Sequence, residues 1–431
     1  LTAERCSSDQ IKDEVVTGLL EGIRVLESAV LLNGDTLGMY LADLGADVIK
    51  VESPQGGDYL RDILGQVVPH HSPAHLQVNK NKRSIALDVR TQTGRDVFWD
   101  LQATADVFID GFAGDATDRL GIGYEDQVDR KPDIVYCQYT GFGRTGPYGG
   151  IPTHGQMMNA EAAAVTLETH EDGFVRVSDN RELMWGTSSG GEGTAAGAIH
   201  AALRVVAAVC RRDRTGKGAY LDASASDAVV AQGWIGAVYG LNYERITDHT
   251  GLRQPGSEPL TGAKYQYYAT ADGAYVLFCC IEPKFWERFC QAVGREDLVE
   301  RTVEQGAVDF AQGDSALRRE LQAIIGERTQ REWVDLAIEK RVPIGPAHQG
   351  VVSLRNDPHV AARQILVEGE HPTAGPFTYV GSPVIVDQAP YPDPLPAPAL
   401  GTDTRGILRE LGYGDGRIKR LENLGVVAAP S

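Results

Sequence analysis

Residues 22–27 read Gly22-Ile23-Arg24-Val25-Leu26-Glu27, and residues 47–52 read Asp47-Val48-Ile49-Lys50-Val51-Glu52. Each is a short run dominated by apolar side chains of the kind that pack on a pleated surface, so both read as buried strands. Between them Leu37, Tyr40, Leu41 and Leu44 recur at helical spacing, and Gly45 supplies a residue suited to ending a helix. Strand, helix and strand within 22–52 form one βαβ unit, whose right-handed crossover sets the two strands parallel.

The alternation repeats. Residues 84–88 read as a strand, 91–105 as an amphipathic helix opened by the Thr91 cap, and 106–110 and 133–137 as two further strands. The fold class is therefore α/β, with a doubly wound, Rossmann-like sheet over roughly the first 150 residues. Where a dinucleotide fold carries GxGxxG, this chain has Ser28-Ala29-Val30-Leu31-Leu32-Asn33-Gly34, which disfavours a nicotinamide or flavin dehydrogenase.

Residues 190–210 are rich in Gly and Ala and read as a helix approached closely by its neighbours, before a strand at 219–223. After a loop at 254–259 the texture changes. A hairpin turning at Asp272-Gly273 precedes helices at 285–293, 316–325 and 330–340. We divide the chain into 18–224, the first part of a large domain; 225–340, a smaller α+β domain; and 341–431, a return to the large domain. This last part holds strand-like runs at 377–380 and 383–386, a proline-rich stretch and a helix near 404–411.

The net charge of −18 argues against nucleic acid or an anionic membrane as partner. No apolar run reads as the ~20 residues that span a bilayer, and the polar first sixteen residues lack a signal pattern, which makes a cytoplasmic protein the expectation. The six cysteines include no CxxC pair, so no metal site is expected.

Taken together, several stretches resemble the family III CoA-transferases, the carnitine dehydratase/bile-acid-inducible type related to alpha-methylacyl-CoA racemase. They are Leu41-Ala42-Asp43-Leu44-Gly45-Ala46-Asp47-Val48-Ile49-Lys50-Val51-Glu52, Asn79-Lys80-Asn81-Lys82-Arg83-Ser84, Arg119-Leu120-Gly121-Ile122-Gly123, Thr140-Gly141-Phe142-Gly143-Arg144-Thr145-Gly146-Pro147-Tyr148, Val342-Pro343-Ile344-Gly345-Pro346 and Leu400-Gly401-Thr402-Asp403-Thr404. The resemblance implies an interlocked homodimer whose large domain comes from both chain ends. It also implies an enzyme that moves coenzyme A from an acyl-CoA to a carboxylic acid, with coenzyme A as substrate and no permanently bound cofactor.

A CoA ester needs cations for its phosphates, and Arg suits both phosphate contact and purine stacking. The resemblance places Lys50, Arg61, Asn79, Lys80, Lys82 and Arg83 at the nucleotide; the plainer account of 79–83 is a solvated basic turn. Family members carry Asn-Phe-Arg-Pro-Gly after the fourth strand. Here Gly111-Phe112-Ala113-Gly114-Asp115 keeps Phe112 as a packing surface and lacks the Arg.

Catalysis in the family is covalent: an Asp carboxylate attacks the thioester to give a mixed anhydride. The matching stretch, Trp185-Gly186-Thr187-Ser188-Ser189-Gly190-Gly191-Glu192, has Thr187 where Asp is expected. Glu192 is the nearest carboxylate and the leading nucleophile, although a helix-start Glu that merely favours the dipole fits as well. The racemase branch uses a His-Asp step; here His154 is kept and its neighbour is Gly155, which leaves His154 as a candidate base for 2-methylacyl-CoA epimerisation. A third reading is a non-catalytic CoA-binding subunit in a hetero-oligomer with a paralogue.

Overall fold

A computed structural model describes residues 18–63, 65–165, 167–177, 193–248, 262–300, 308–389 and 391–430. Its strands are β1 (Arg24–Ser28), β2 (Asp47–Glu52), β3 (Lys82–Leu87), β4 (Val107–Asp110), β5 (Val135–Thr140), β6 (Leu167–Thr169), β7 (Val175–Val177), β8 (Ala219–Ser224), β9 (Gln266–Ala269), β10 (Tyr275–Phe278), β11 (Ile344–Ala347), β12 (Leu366–His371), β13 (Gly375–Val380) and β14 (Val427–Ala428). The helices are α1 (Asn33–Asp43), α2 (Pro73–Val78), α3 (Gln92–Gln102), α4 (Ala116–Arg119), α5 (Tyr124–Arg130), α6 (Met157–Glu161), α7 (Gly193–Thr215), α8 (Ala225–Gln232), α9 (Trp234–Leu241), α10 (Pro283–Val293), α11 (Asp297–Glu300), α12 (Ser315–Ile325), α13 (Gln330–Lys340), α14 (Pro358–Arg363), α15 (Thr404–Glu410) and α16 (Asp415–Asn423).

The chain packs as two compact units, one of Leu1–Leu241 with Leu366–Ser431 and one of Asn242–Ile365. The second unit thus begins and ends later than the 225–340 read from composition; α8 and α9 belong to the first unit, β11 and α14 to the second.

A seven-stranded sheet in the order β14-β3-β2-β1-β4-β5-β8 organises the larger unit. Six strands are parallel, and β14 closes one edge antiparallel to β3. Both faces are covered, which is why β4 and β5 are buried along their whole length. On one face α1 and α7 pack over Val25, Val48, Val107 and Val135; on the other, α3, α15 and α16 cover Leu26, Ile49, Ile85 and Phe108.

Local signals act as expected. Thr91 caps α3 by accepting the Gly94 amide at 2.9 Å, and Gly45, at φ +95°, ends α1. Gly197 on α7 has a specific reason: a Cβ there would lie 2.3 Å from the Tyr139 hydroxyl.

By length and composition α7 alone among the described helices could cross a bilayer, which qualifies the expectation that no run is long enough; over half of that window is buried within the molecule. The apolar run at 383–386 forms no strand, and α16 and β14 extend the sheet beyond the single terminal helix expected.

In the smaller unit β9, β10 and β11 form an antiparallel sheet, with the turn at Asp272-Gly273 closed by Thr270 N to Ala274 O. Tyr268, Phe278, Trp286, Phe289 and Trp333 make its aromatic core.

Candidate active site

Strand order reverses between β1 and β4, so the crevice beyond their carboxyl ends is where an open α/β sheet takes a ligand. Two loops meet there. A Cβ at Gly34 would lie 2.3 Å from the Ala29 Cβ, and one at Gly111 would lie 2.5 Å from it, so glycine is required on both sides of Ala29. Within the β1–α1 loop Leu31 stands at φ +63°, a left-handed conformation a leucine rarely adopts.

Directly beneath lies a buried charge network. Glu27 and Lys50 are register partners on β1 and β2, and Lys50 faces Ser84 on β3, so the three share one row across the sheet. The Lys50 ammonium reaches Glu27 Oε1 (3.1 Å), Asp35 Oδ1 (2.5 Å), Asp58 Oδ2 (3.0 Å) and the Ala29 carbonyl (3.1 Å). Lys82 donates to Glu27 Oε2 (2.7 Å), the Asp35 carbonyl (2.9 Å) and Asn79 Oδ1 (3.0 Å). Asn79 in turn donates to Asp35 Oδ2 at 3.2 Å, and its amide lies 3.0 Å from His75 Nδ1.

Arg61 joins from the other side. It grips Glu52 through NH2 at 3.0 and 2.9 Å, and its NH1 donates to His75 Nε2 (3.0 Å) and the Pro398 carbonyl (3.1 Å). Ser84 donates to Glu52 at 2.5 Å while accepting the Gly401 amide, which ties the C-terminal Leu400-Gly401-Thr402-Asp403 stretch to the same cluster.

Lys50, Lys82, Glu27, Asp35 and Asp58 are two cations and three carboxyls, so charge balance asks one carboxyl to keep a proton. Burial, with Glu27 and Asp58 beside it, raises Asp35 well above the usual carboxylate range. Burial works against Asp58 too. Lys50 and hydrogen bonds from the Leu60 amide, Asp35 and the Leu31 amide outweigh it and bring Asp58 to about 2. Of the three carboxyls Asp35 is thus the one whose surroundings most favour the protonated form, while Asp58 is held as the anion. Burial and the Arg61 charge depress His75 to about 2, which keeps it neutral.

These contacts revise the reading of 79–83 as an open basic turn. Lys80 is buried against Asp43 and Tyr391. Arg83 pairs with Asp47 (2.7 Å) and Glu410 (2.7 Å), and Asp47 also receives Arg24. Asp47 and Arg24 begin β2 and β1, so Arg83 sits at the amino ends of the strands, the opposite end of the sheet from the crevice. The physical reason is pairing: each cation found a carboxylate of this chain.

Phe112 does lie at the crevice, half-buried in the turn after β4. Its amide donates to Asp110 Oδ1 (3.0 Å), and Gln138 donates to the Phe112 and Gly114 carbonyls (both 3.0 Å). Arg144 also bonds the Gly114 carbonyl and pairs with Asp118 (2.9 Å). Asp222 on β8 accepts the Arg144 and Thr145 amides at 2.6 and 2.9 Å. Sequence reasoning missed Gln138 and Asp222, which carry no local signal.

Thr187 and Glu192 lie outside the described residues. The first described residues of α7 are anchored at the carboxyl end of the sheet. The Gly193 amide donates to Asn159 Oδ1 (3.0 Å), Thr194 Oγ1 to Asn33 Oδ1 (3.1 Å) and Tyr139 OH to the Thr194 carbonyl (2.7 Å). His154 is exposed on the loop before α6. Its neighbour Thr153 packs on Gly141 just past β5, where a Cβ would lie 2.1 Å from Thr153 Oγ1. Among the described residues no His/Cys/Asp/Glu cluster could hold a metal ion.

The sequence matches the model of CoA-transferase family III over residues 20–404. It is 31% identical to the succinyl-CoA:mesaconate CoA-transferase of Haloarcula hispanica, over 93% of this chain and 98% of that protein. It is 29% identical to the human succinyl-CoA:glutarate CoA-transferase (95% and 90%) and 28% identical to a formyl-CoA:oxalate CoA-transferase of Rhodopseudomonas palustris (96% and 99%). Among solved structures, a CaiB/BaiF family protein from Brucella suis superposes with a TM-score of 0.67 at 27% identity, over 91% of this chain and 99% of that one. The chain belongs to CoA-transferase family III, and it is an enzyme that moves coenzyme A between an acyl-CoA and a carboxylate.

Proposed function

We propose that Glu192 is the nucleophile of a ping-pong transfer carried out at the β1/β4 crevice. The observation that supports it is the anchoring of Gly193 and Thr194 to Asn159, Asn33 and Tyr139, which fixes the chain next to Glu192 at the carboxyl ends of the strands. The carboxylate adds to the donor thioester, the C–S bond breaks, and an acyl-enzyme anhydride and a CoA thiolate result. The thiolate then attacks the enzyme's carbonyl, releasing the donor acid and leaving an enzyme thioester. The acceptor carboxylate runs the same two steps in reverse. The sequence is glycine-rich around the proposed nucleophile, at 186, 190 and 191, the residue type that lets backbone amides come close to an oxyanion.

The substrate class is a small dicarboxylic acid. Oxalate, glutarate, mesaconate and succinyl groups stand in the names of the three relatives, and each is a dicarboxylate or derived from one. Phe112 contacts the acyl-CoA in the crevice. Lys50, Arg61, Asn79 and Lys82 act from beneath it, by shaping the loop that holds the ligand.

The working assembly is an interlocked homodimer. Support comes from α9, Trp-Ile-Gly-Ala-Val-Tyr-Gly-Leu, which buries none of its residues although it is apolar throughout. Trp234 and Leu241 are 60% and 83% exposed, and Ile199, Leu203 and Val230 are exposed as well. An all-apolar helix requires cover.

Mass spectrometry of the intact protein after incubation with succinyl-, oxalyl- and glutaryl-CoA, with hydroxylamine trapping, tests the chemistry. An adduct mapping to Glu192, lost in Glu192→Gln, is expected. An adduct on Thr187 instead, or full turnover by Glu192→Gln, removes Glu192 from the role.

A further inference from the structure

We infer that Asp58 and Lys50 are positioning residues, which hold the β1–α1 loop in the one conformation that forms the acyl-CoA crevice; the functional half of this inference rests on the transferase reading above. The loop does not specify its own shape. Leu31 sits at φ +63° with no glycine to make that easy, and for an L-residue such a conformation is unfavourable unless it is held from outside. Both oxygens of Asp58 accept the Leu31 amide at 3.1 Å, and one of them also accepts the Leu60 amide at 2.8 Å. Lys50 takes the Ala29 carbonyl two residues earlier, at 3.1 Å. An anion and a cation from the β2 side of the sheet thus pin one amide and one carbonyl of the loop that follows β1.

The pin is rigid because each half is held by the other. Lys50 Nζ lies 3.0 Å from Asp58 Oδ2, and the two side chains are 1% and 0% exposed. Ala29, which follows β1 directly and supplies the pinned carbonyl, is the residue against which Gly34 and Gly111 close. Loss of the pin therefore moves the contact between the β1 and β4 loops, which is the floor of the crevice, while leaving the strands in register.

The test uses the full-length enzyme and two readouts. Hydrogen–deuterium exchange of the peptide covering 28–34 is followed without ligand in the wild type, in Asp58→Asn, in Asp58→Ala, and in Asp58→Ala combined with Leu31→Gly. Binding of free coenzyme A to each is measured by calorimetry. Asp58→Asn keeps an acceptor for the amides, which guards against simple failure to fold.

The pin predicts exchange in 28–34 at least about tenfold faster in Asp58→Asn, with the rest of β1 and α1 unchanged, and coenzyme A affinity weaker by about tenfold, the scale set by one left-handed leucine. Leu31→Gly restores most of that affinity without restoring the melting temperature, because glycine adopts the loop conformation unaided. Unchanged exchange in Asp58→Asn overturns the pin. So does a double variant no better than Asp58→Ala alone. A wild type that exchanges as predicted yet binds no coenzyme A leaves the pin standing and overturns the transferase site.

Discussion

Gly38 of α1 passes so close to Glu27 of β1 that a Cβ on it would lie 1.7 Å from the Glu27 carboxylate Oε2. Glu27 cannot withdraw, since its two oxygens are taken by Lys50 at 3.1 Å and Lys82 at 2.7 Å. Gly38→Ala therefore has to displace either the helix or a buried ion pair. Overpacking costs about 1–3 kcal/mol, and breaking a buried pair about 3–5 kcal/mol. We expect a loss of about 3 kcal/mol or more, read as a lower urea midpoint. A midpoint equal to wild type is incompatible with this approach of α1 to β1.

The upward shift of Asp35 gives a contrast between two isosteric changes. Asn at position 35 presents an oxygen to Lys50 and an N–H to Asp58, as the protonated acid does, and loses only the 3.2 Å contact from Asn79. Asp35→Asn should cost within about 1 kcal/mol. Glu27→Gln leaves two buried ammoniums short of an anion and should cost about 3–5 kcal/mol. The pH dependence separates them further. Folded Asp35 keeps a proton that the unfolded chain releases above about pH 3.9, so this group makes wild type lose stability as pH rises from there towards its raised folded value. Asp35→Asn removes that slope. Urea unfolding at several pH values, with identical slopes in both proteins, would place the proton elsewhere.

His75 acts in the opposite direction. Its folded value is brought down to about 2 by burial and by Arg61, so the native state refuses a proton that the unfolded chain accepts below about pH 6.5. Its contribution is then lost as pH falls below 6.5, at up to about 1.4 kcal/mol per pH unit and against the opposite slope of Asp35. His371, depressed chiefly by its burial, adds to the same slope. Between pH 6.5 and 4.5 the Asp58 carboxylate does not yet contribute, since its own loss begins near the unfolded carboxylate range. His75→Gln should flatten the acid limb of a stability–pH curve while lowering its plateau; an acid limb of unchanged slope would mean that His75 is accessible to protons when folded.

The parallel sheet was legible because β1, β2 and β4 are short, mostly apolar runs next to helices of clear period; 47–52 matches β2 residue for residue, as 330–340 matches α13 in the smaller unit. The run at 383–386 failed because strand propensity needs a partner, and Val384, Ile385 and Val386 are left exposed. The two-residue β14 was too short to carry any pattern. Charges were visible in the sequence and their pairing was not. Lys82 finds Glu27 across 55 positions, and Lys50 finds Asp35 across 15, distances at which spacing holds no information. That is why the sequence shows these cations without showing the carboxylates they pair with.

The apolar helix α9 carries the last prediction. Trp234, Ile235 and Leu241 are at least half exposed on a segment without one buried residue, and a stable interface of about 800 Å² per partner would cover them. Light scattering should give a dimer for the wild type at micromolar concentration. Trp234→Glu with Leu241→Glu should give a monomer or an aggregate, because the change adds two charges to the face that must be dry. Interlocking makes a sharper demand. Chains that thread through one another cannot part without unfolding, so tagged and untagged dimers mixed under native conditions should not exchange subunits over hours. Exchange within minutes would establish an ordinary dimer in place of an interlocked one, and a monomeric wild type would leave α9 to a different partner.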